Sequence, residues 1–126
     1  MPFKTLPAST LHRIPHLEGA PPCVHFDDAF GTETSNSPDT TPNSLTGSLF
    51  FLDFAEHPEP APRYDYDETG VVLKGTLKLR DANGDEAVLR KGDTFFISRG
   101  STIVFSTPDY AVAFKAAARW RVPSRL

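Results

Sequence analysis

Residues 70–116, GVVLKGTLKLRDANGDEAVLRKGDTFFISRGSTIVFSTPDYAVAFKA, decide the fold of this chain. Runs rich in Val, Leu, Ile and Phe, which suit pleated sheets, alternate there with turn residues. Asn83-Gly84 is typical of a type I′ hairpin turn, in which both central residues have positive φ. Together with one earlier run, the pattern predicts strands at Ser48–Phe54, Gly70–Arg80, Glu86–Arg90, Thr94–Ser98, Ser101–Phe105 and Tyr110–Ala116. Short strands without helical periodicity between them indicate an all-β antiparallel sandwich or barrel.

Length, charge and cysteine content narrow the class of protein. A chain of 126 residues is long enough for one domain with its own core. The net charge is −3 and the basic residues are scattered, which disfavours a nucleic-acid partner or an anionic membrane surface. Cys23 is the only cysteine, so the sequence offers neither an intramolecular disulfide nor a cysteine metal site.

The two parts of the chain differ in composition. Ten of the 12 prolines lie at or before Pro62, whereas the strand pattern begins near residue 47. We therefore predict an irregular N-terminal arm and polar loop over residues 1–46, packing on a β-barrel core over residues 47–122. The polar stretch 32–46 is a surface insertion in one interpretation and a lid over a site in the other.

The termini suggest where the protein resides. The first residues contain no long apolar stretch that would act as a signal peptide, which favours a cytoplasmic location. The sequence ends Ser124-Arg125-Leu126, one residue away from the Ser-Lys-Leu peroxisomal signal. A peroxisomal location is therefore the alternative.

Two motifs give the chain a resemblance to the cupins. Glu68 precedes Gly75 by seven positions, as in the first cupin motif, and residues 92–100 (GDTFFISRG) are similar to the second. Over about Tyr64 to Trp120, the sequence resembles the EutQ-like cupins of ethanolamine-utilisation operons. The resemblance implies a single-domain cupin barrel, which is a double-stranded β-helix or jelly roll.

The metal-binding histidines of most cupins are missing. The resemblance places them at Pro62 and Tyr64, or at Ala61 and Arg63, and at Ile103. Zinc and iron need three or four donors, so we expect no metal and no other cofactor. The resemblance also implies acetate kinase activity or a role in microcompartments, but the chain has no phosphate loop of the G-x-x-x-x-G-K type.

Tyr64, Tyr66 and Glu68 are the candidate catalytic residues. If residues 64–68 form a strand, these three side chains share one face, and cupin geometry turns that face into the barrel. Two phenols can stabilise an oxyanion while a carboxyl group carries a proton, as in ketosteroid isomerase. In the structural alternative they only satisfy one another, and a bulge would instead put Asp65 and Asp67 inside.

Other inward-facing residues are candidates for substrate binding. Lys115 interrupts an apolar run, where it would pair with Glu68, act as a base, or simply protect an edge strand, which is the more common role. Asp53 poses the same question, with the same preference for a structural role. The candidate substrate-binding set is Phe51, Asp53, Arg63, Ile103, Phe105, Phe114 and Lys115. The four apolar members of this set are interpreted most simply as core, or as the apolar wall of a pocket.

These residues favour a metal-independent lyase or isomerase (an isomerase, dehydratase or cyclase) that acts on a small carbonyl-containing substrate. The alternative is a non-catalytic binding or scaffolding cupin, and an open interior would favour the enzyme. An acetate kinase or a metal-dependent enzyme is disfavoured. We also expect a homodimer, formed through an apolar face supplied by Tyr110–Ala116.

Overall fold

Seven antiparallel strands form the framework of the structure, a computed structural model that describes residues 3–32 and 44–121. One short 3₁₀ helix, Ala8–His12, precedes them. The strands are β1 (Val24–Gly31), β2 (Thr46–Asp53), β3 (Glu68–Arg80), β4 (Glu86–Arg90), β5 (Thr94–Ile97), β6 (Val104–Ser106) and β7 (Tyr110–Ala117). Within the described residues, no helix has the length and apolar character needed to cross a membrane.

β3 joins the two layers of the barrel. Its first half pairs with β7 on one side and β5 on the other, and β7 continues the layer to β2 and β1. Its second half pairs with β4 and β6 in the opposite layer. A strand of 13 residues is long enough to belong to both layers, so β3 closes the barrel around a common interior.

Gly75 marks the point where β3 passes between the layers. It has a φ of 75°, and a β-bulge lies just before it, between Val72 and Lys74. A Cβ atom at this position would collide with the carbonyl oxygen of Tyr110. Glycine is required here both by the backbone conformation and by the close approach of β7.

The β3–β4 hairpin has a different turn from the one predicted. Gly84 has positive φ, but no non-glycine residue among the described ones does, so the type I′ prediction for Asn83-Gly84 is wrong. The loop is longer: the Asp81 N–H donates to the Asp85 carbonyl, and the Gly84 N–H donates to the Asp81 carbonyl. The Asp81 side chain also accepts the N–H groups of Asn83 and Asp85, which stabilises this wider turn.

The N-terminal arm contains a strand that the sequence analysis missed. β1 lies inside the segment predicted to be irregular, and it pairs along its length with β2. Its acidic pair, Asp27 and Asp28, is buried and breaks the apolar pattern by which a strand is recognised. Ile14, from the same arm, packs against Leu49 on the outer face of β2, so the arm does pack on the barrel. Most of the polar stretch 32–46 lies outside the described residues, and the division into arm and core stays a prediction.

β7 occupies the middle of its layer rather than a free face. It pairs with β2 and β3, and Ala111, Val112 and Ala113 are buried. The expectation that Tyr110–Ala116 supplies an exposed dimer face is therefore wrong, because the strand's apolar side chains are used within the chain. The main core cluster lies between the layers and includes Leu52 and Leu77.

Candidate functional site

A cavity of about 410 Å³ opens into the interior of the barrel. Five apolar side chains of β1, β2 and β6 line it (Val24, Phe26, Phe50, Leu52 and Phe105), together with residues of the segments 17–23 and 55–66. Polar side chains also line it, and they include the group of Tyr64, Tyr66, Glu68 and Lys115. An apolar cavity of this size with a few convergent polar groups is typical of a small-molecule site.

Glu68 is the centre of the polar group. The residue begins β3 and is only 2% exposed. Its Oε2 atom accepts a hydrogen bond of 2.8 Å from the Tyr64 hydroxyl and lies 3.7 Å from the Nζ of Lys115. Burial, together with the nearby Glu68 carboxylate that accepts its hydrogen bond, raises the pKa of Tyr64, so this phenol keeps its proton.

Lys115 is enclosed by aromatic rings. Its Nζ lies 3.9 Å from the ring centroid of Phe50, 4.2 Å from that of Phe105 and 5.6 Å from that of Phe26. Burial lowers the pKa of Lys115, and the charge of Glu68 opposes this effect without cancelling it. The π faces stabilise an ammonium, but removal from water favours the neutral amine. The lysine is thus subject to two opposed effects, and the net effect of its surroundings is a lowered pKa.

Tyr66 connects the cavity to a second buried ion pair. The Tyr66 ring lies 5.2 Å from the ring centroid of Tyr64 and 5.2 Å from the guanidinium carbon of Arg119. Arg119 makes two hydrogen bonds of 2.6 Å to the Asp28 carboxylate, whose Oδ1 also accepts the hydroxyl of Ser48. The Asp28 carboxylate raises the pKa of Arg119, so this cation stays charged and holds β1 to the segment after β7.

The chain presents Tyr64 and Tyr66 through a bend rather than a strand. Residues 64–67 are irregular, so the predicted strand over 64–68 is wrong, yet the three candidate side chains do share the interior side. The Tyr64 N–H donates to the Ser101 carbonyl, and the Gly100 N–H donates to the Tyr64 carbonyl. Asp67 is exposed, and its Oδ1 accepts the N–H of Arg99. The two sequence motifs therefore meet, and the second holds the first in place.

The candidate binding residues divide into two groups. Phe105 and Lys115 line the cavity wall, and the exposed Asp53 and Arg63 lie at its mouth. Asp53 accepts the N–H of Phe54, and Arg63 donates to the Gly100 carbonyl. These two contacts are those of residues that order the rim, in line with the structural preference stated for Asp53.

Three candidate binding residues lie away from the cavity. Phe51 and Phe114 pack in the cluster on the outer face of the β1–β2–β7 layer, because strand alternation turns Phe50 and Lys115 inward instead. Ile103 belongs to the main core and is not part of the cavity wall. The assignment of these three to substrate binding is therefore corrected.

The edge-strand interpretation of Lys115 is also wrong. β7 has a partner on each side, and the Lys115 side chain is 4% exposed. An inward lysine on a central strand protects no sheet edge. Of the alternatives considered for this residue, the pairing with Glu68 is the one observed.

The sequence analysis missed four residues near the site. Phe50 could have been identified from its parity with Leu52 on β2, since both are buried in the main core. Phe26 was hidden by the missed strand β1. Arg119 and Asp28 are 91 positions apart, so no local pattern connects them.

The side chains at this site do not fit the metal centre of other cupins. The buried and half-buried lining offers one carboxylate, Glu68, and the phenols of Tyr64 and Tyr66, whereas the other carboxylates that line the cavity (Asp53, Glu59 and Asp65) are exposed. Ile103 is a hydrocarbon at the position where the resemblance puts a histidine. Across residues 3–32 and 44–121, no group of three or more His, Cys, Asp or Glu could hold a metal ion. We therefore derive no chemistry through a metal.

Comparison with known proteins identifies relatives over the same region. The curated acetate kinase EutQ of Salmonella typhimurium is 43% identical over 44 residues, which cover 35% of this chain and 19% of that protein. This chain thus spans about a fifth of that relative. A crystal structure of an ethanolamine utilisation protein Q from Salmonella typhimurium is 31% identical with a TM-score of 0.65, covering 87% of this chain and 80% of the other. Clostridium difficile EutQ is 28% identical with a TM-score of 0.59, covering 75% and 67%.

The fold and the family follow from these matches. The Cnp3 cupin domain of Schizosaccharomyces pombe, at 12% identity and a TM-score of 0.59 over 75% of this chain and 60% of the other, shares the fold alone. The predicted all-β cupin fold is confirmed. The model of the family described as ethanolamine utilisation protein EutQ matches residues 55–121, more than half of the sequence. The chain belongs to the EutQ family.

Proposed function

We propose that this protein is a metal-independent enzyme that moves protons next to the carbonyl group of a small organic substrate. One observation carries the proposal: Tyr64, Tyr66, Glu68 and Lys115 converge in an otherwise largely apolar cavity of about 410 Å³. Burying four such groups is costly, and a site that uses them accounts for that cost. Isomerisation, dehydration and cyclisation are the reactions that such chemistry serves.

Each polar residue has a role that its surroundings support. Glu68 accepts and returns a proton at the carbon next to the carbonyl, since its Oε2 is already in contact with two other groups that share protons. Tyr64 and Tyr66 both have a raised pKa because of burial and the nearby Glu68, so they remain donors. Their hydroxyls would stabilise the oxygen on which negative charge develops.

The Tyr64 hydroxyl must change partner during this reaction. A phenol has one proton to donate, and that of Tyr64 is donated to Glu68. A substrate oxygen competes for it, which would release the carboxylate to act as a base. Binding and activation of Glu68 are thus coupled through one hydrogen bond.

A non-catalytic binding module is the second candidate. It is favoured by the same contacts, because Tyr64, Glu68 and Lys115 already satisfy one another. The two functions differ in one respect: a binding module needs the cavity but no proton transfer. Acetate kinase activity, named for the curated Salmonella relative, ranks lower, since this sequence lacks a glycine-rich phosphate loop.

Exchange of hydrogen for deuterium tests the proposal without knowledge of the natural substrate. The protein is incubated in D₂O with a panel of small aldehydes, ketones and oxo acids, and NMR follows the signal of the hydrogens next to the carbonyl. We expect protein-dependent exchange for at least one compound, slowed about 10²–10⁴-fold by Glu68→Gln. Glu86→Gln, an exposed change on β4, is the matched control, and a chelator should have no effect.

The binding module makes the opposite forecast. A compound would then bind, as seen by its line broadening, but its exchange rate would be the same with the parent, Glu68→Gln or no protein. That result, with both proteins folded, would favour the binding module over the enzyme.

A cytoplasmic location and a homodimer also belong to this proposal, and light scattering would test the dimer.

A further inference from the structure

Lys115 is the one member of the four converging groups to which the proton-transfer proposal assigns no step of its own. Its amine lies inside the cavity, within 4.2 Å of two ring centroids and 3.7 Å from Glu68. An amine that is excluded from water, has a pKa lowered by burial and lies next to a carboxyl group has the properties of a nucleophile. Lys74 and Lys91, which are exposed, lack all of these properties.

We propose that Lys115 bonds covalently to a small aldehyde as an imine within the cavity. The inference deepens the proposed function, because it rests on the same carbonyl substrate and names its class. It also assigns to Lys115 a role as nucleophile, in addition to its contact with Glu68.

The atoms and protons of the step balance between Lys115 and Glu68. The Nζ lone pair attacks the aldehyde carbon, a C–N bond forms, and a proton passes from nitrogen to the former carbonyl oxygen. Glu68, which took up the proton that Lys115 lost when the ammonium of the pair became the neutral amine, then gives this proton to the hydroxyl group, the C–O bond breaks and water leaves. The product is an iminium beside the Glu68 carboxylate, so the overall charge is unchanged and no oxidant or reductant is needed.

The surroundings of Nζ favour an aldehyde over a ketone. The rings of Phe50 and Phe105 are close to the amine on two sides, which restricts the space for substituents on the carbonyl carbon. An aldehyde carries hydrogen on one side and a single substituent on the other. That substituent would lie against the apolar wall formed by residues such as Phe26 and Leu52.

The protonation of Lys115 supports the same assignment. Burial lowers its pKa, so a larger fraction is neutral near pH 7 than for a lysine in water. The contact with Glu68 keeps an acid within reach of the leaving hydroxyl. A purely structural ion pair would share the distance but would not react.

Reductive trapping tests the imine directly. The intact protein is mixed with butanal and sodium cyanoborohydride near neutral pH, and mass spectrometry of the whole chain and of its peptides follows the label. We expect one butyl group to appear first on Lys115, about tenfold or more faster than on Lys74 or Lys91. Acetone, the smallest ketone, should label Lys115 more slowly than butanal does.

Two controls define the result that would overturn the proposal. Unfolding in urea should abolish the preference, and Lys115→Met should lose the fast label while exposed lysines react as before. If the folded parent labels Lys115 no faster than Lys74 and Lys91, the imine is ruled out, whether or not the variant folds. A label on Lys115 without deuterium exchange would refute the proton-transfer function alone, and exchange without a label would refute only the imine.

Discussion

The Nζ of Lys115 and the Oε2 of Glu68 lie 3.7 Å apart inside the barrel, with side chains that are 4% and 2% exposed. Removing two opposite charges from water costs several kcal/mol per ion, and their attraction offsets only part of this unless further hydrogen bonds help. Among the residues that the structure describes, the Tyr64 hydroxyl is the one additional hydrogen-bond donor to the same oxygen. The pair therefore contributes little to the stability of the fold, and its position in a cavity indicates a functional role.

A double-mutant cycle should expose this balance. Lys115→Met and Glu68→Gln each leave the other residue buried without its partner, so each should lower the free energy of unfolding by roughly 3 kcal/mol. The double variant should be more stable than either single one, because no lone buried charge remains. Urea unfolding gives the three values, and simple additivity of the single costs would show that the pair is not coupled.

Stability should rise with pH because of Lys115. Its pKa in the folded state is lowered from 10.5, so between that lowered value and 10.5 the unfolded chain binds more protons. The free energy of unfolding therefore increases with pH across this window and decreases as pH falls through the folded pKa.

The tyrosines limit where this slope is measured. Tyr64 and Tyr66 have a raised pKa and contribute stability below their ordinary value of 10.0, which is lost above it. Urea titrations from about pH 7 to about pH 9.5 avoid that loss. Lys115→Met should remove the rising component, and the groups around it (Glu68, Tyr64, Tyr66 and Arg119) are present in both proteins. An unchanged slope in the variant would contradict the assignment.

The two phenols should differ in their effect on stability. Tyr64→Phe removes the hydrogen bond to Glu68, so we expect a loss of about 1–3 kcal/mol together with slower deuterium exchange. Tyr66 is less buried and has no such bond to Glu68. Tyr66→Phe should therefore lower the free energy of unfolding and the rate of deuterium exchange by less. Tyr110→Phe, at an exposed tyrosine, is the control, and thermal and urea unfolding supply the comparison.

The parts of the fold that were predictable share one property: their signals are local. Five of the six predicted strands, β4 (Glu86–Arg90) among them, match the observed ones to within two residues at each end, since alternation and turn residues act over short distances. β1 could not be recognised, because its buried Asp28 is stabilised by Arg119 from the far end of the chain. An acidic residue argues against a buried strand in a sequence-based prediction, as long as the distant residue that neutralises its charge is unknown.

The candidate site was predictable in its composition but not in its shape. Tyr64, Tyr66 and Glu68 line the cavity together, although by a bend and not by a strand. Lys115 points inward because of the register in which β7 pairs with β2 and β3, and this register cannot be read from the sequence. The same register turns Phe114 to the outer face, so the two neighbours could not both have been binding residues.

Gly75 should tolerate substitution far less well than other glycines with positive φ. Gly92 has a φ of 91° and open space where a Cβ atom would lie, so Gly92→Ala strains only the backbone, at a cost of about 1–2 kcal/mol. Gly75→Ala adds to this strain a collision that forces β3 away from Tyr110. We expect it to be several-fold more destabilising or insoluble, and equal melting temperatures for the two variants would refute the close approach.

The bond between Asp28 and Arg119 also bears on the order in which the protein is made. β1 and β2 leave the ribosome long before residue 119. Asp28 of β1, which is buried in the folded protein, is therefore made well before Arg119, to which it is bonded. The Tyr66 side of the cavity is completed only when Arg119 arrives between Asp28 and that ring. Because β7 lies between β2 and β3, that layer is also completed only after residues 110–117 are made, so a nascent chain would finish its barrel and its site together.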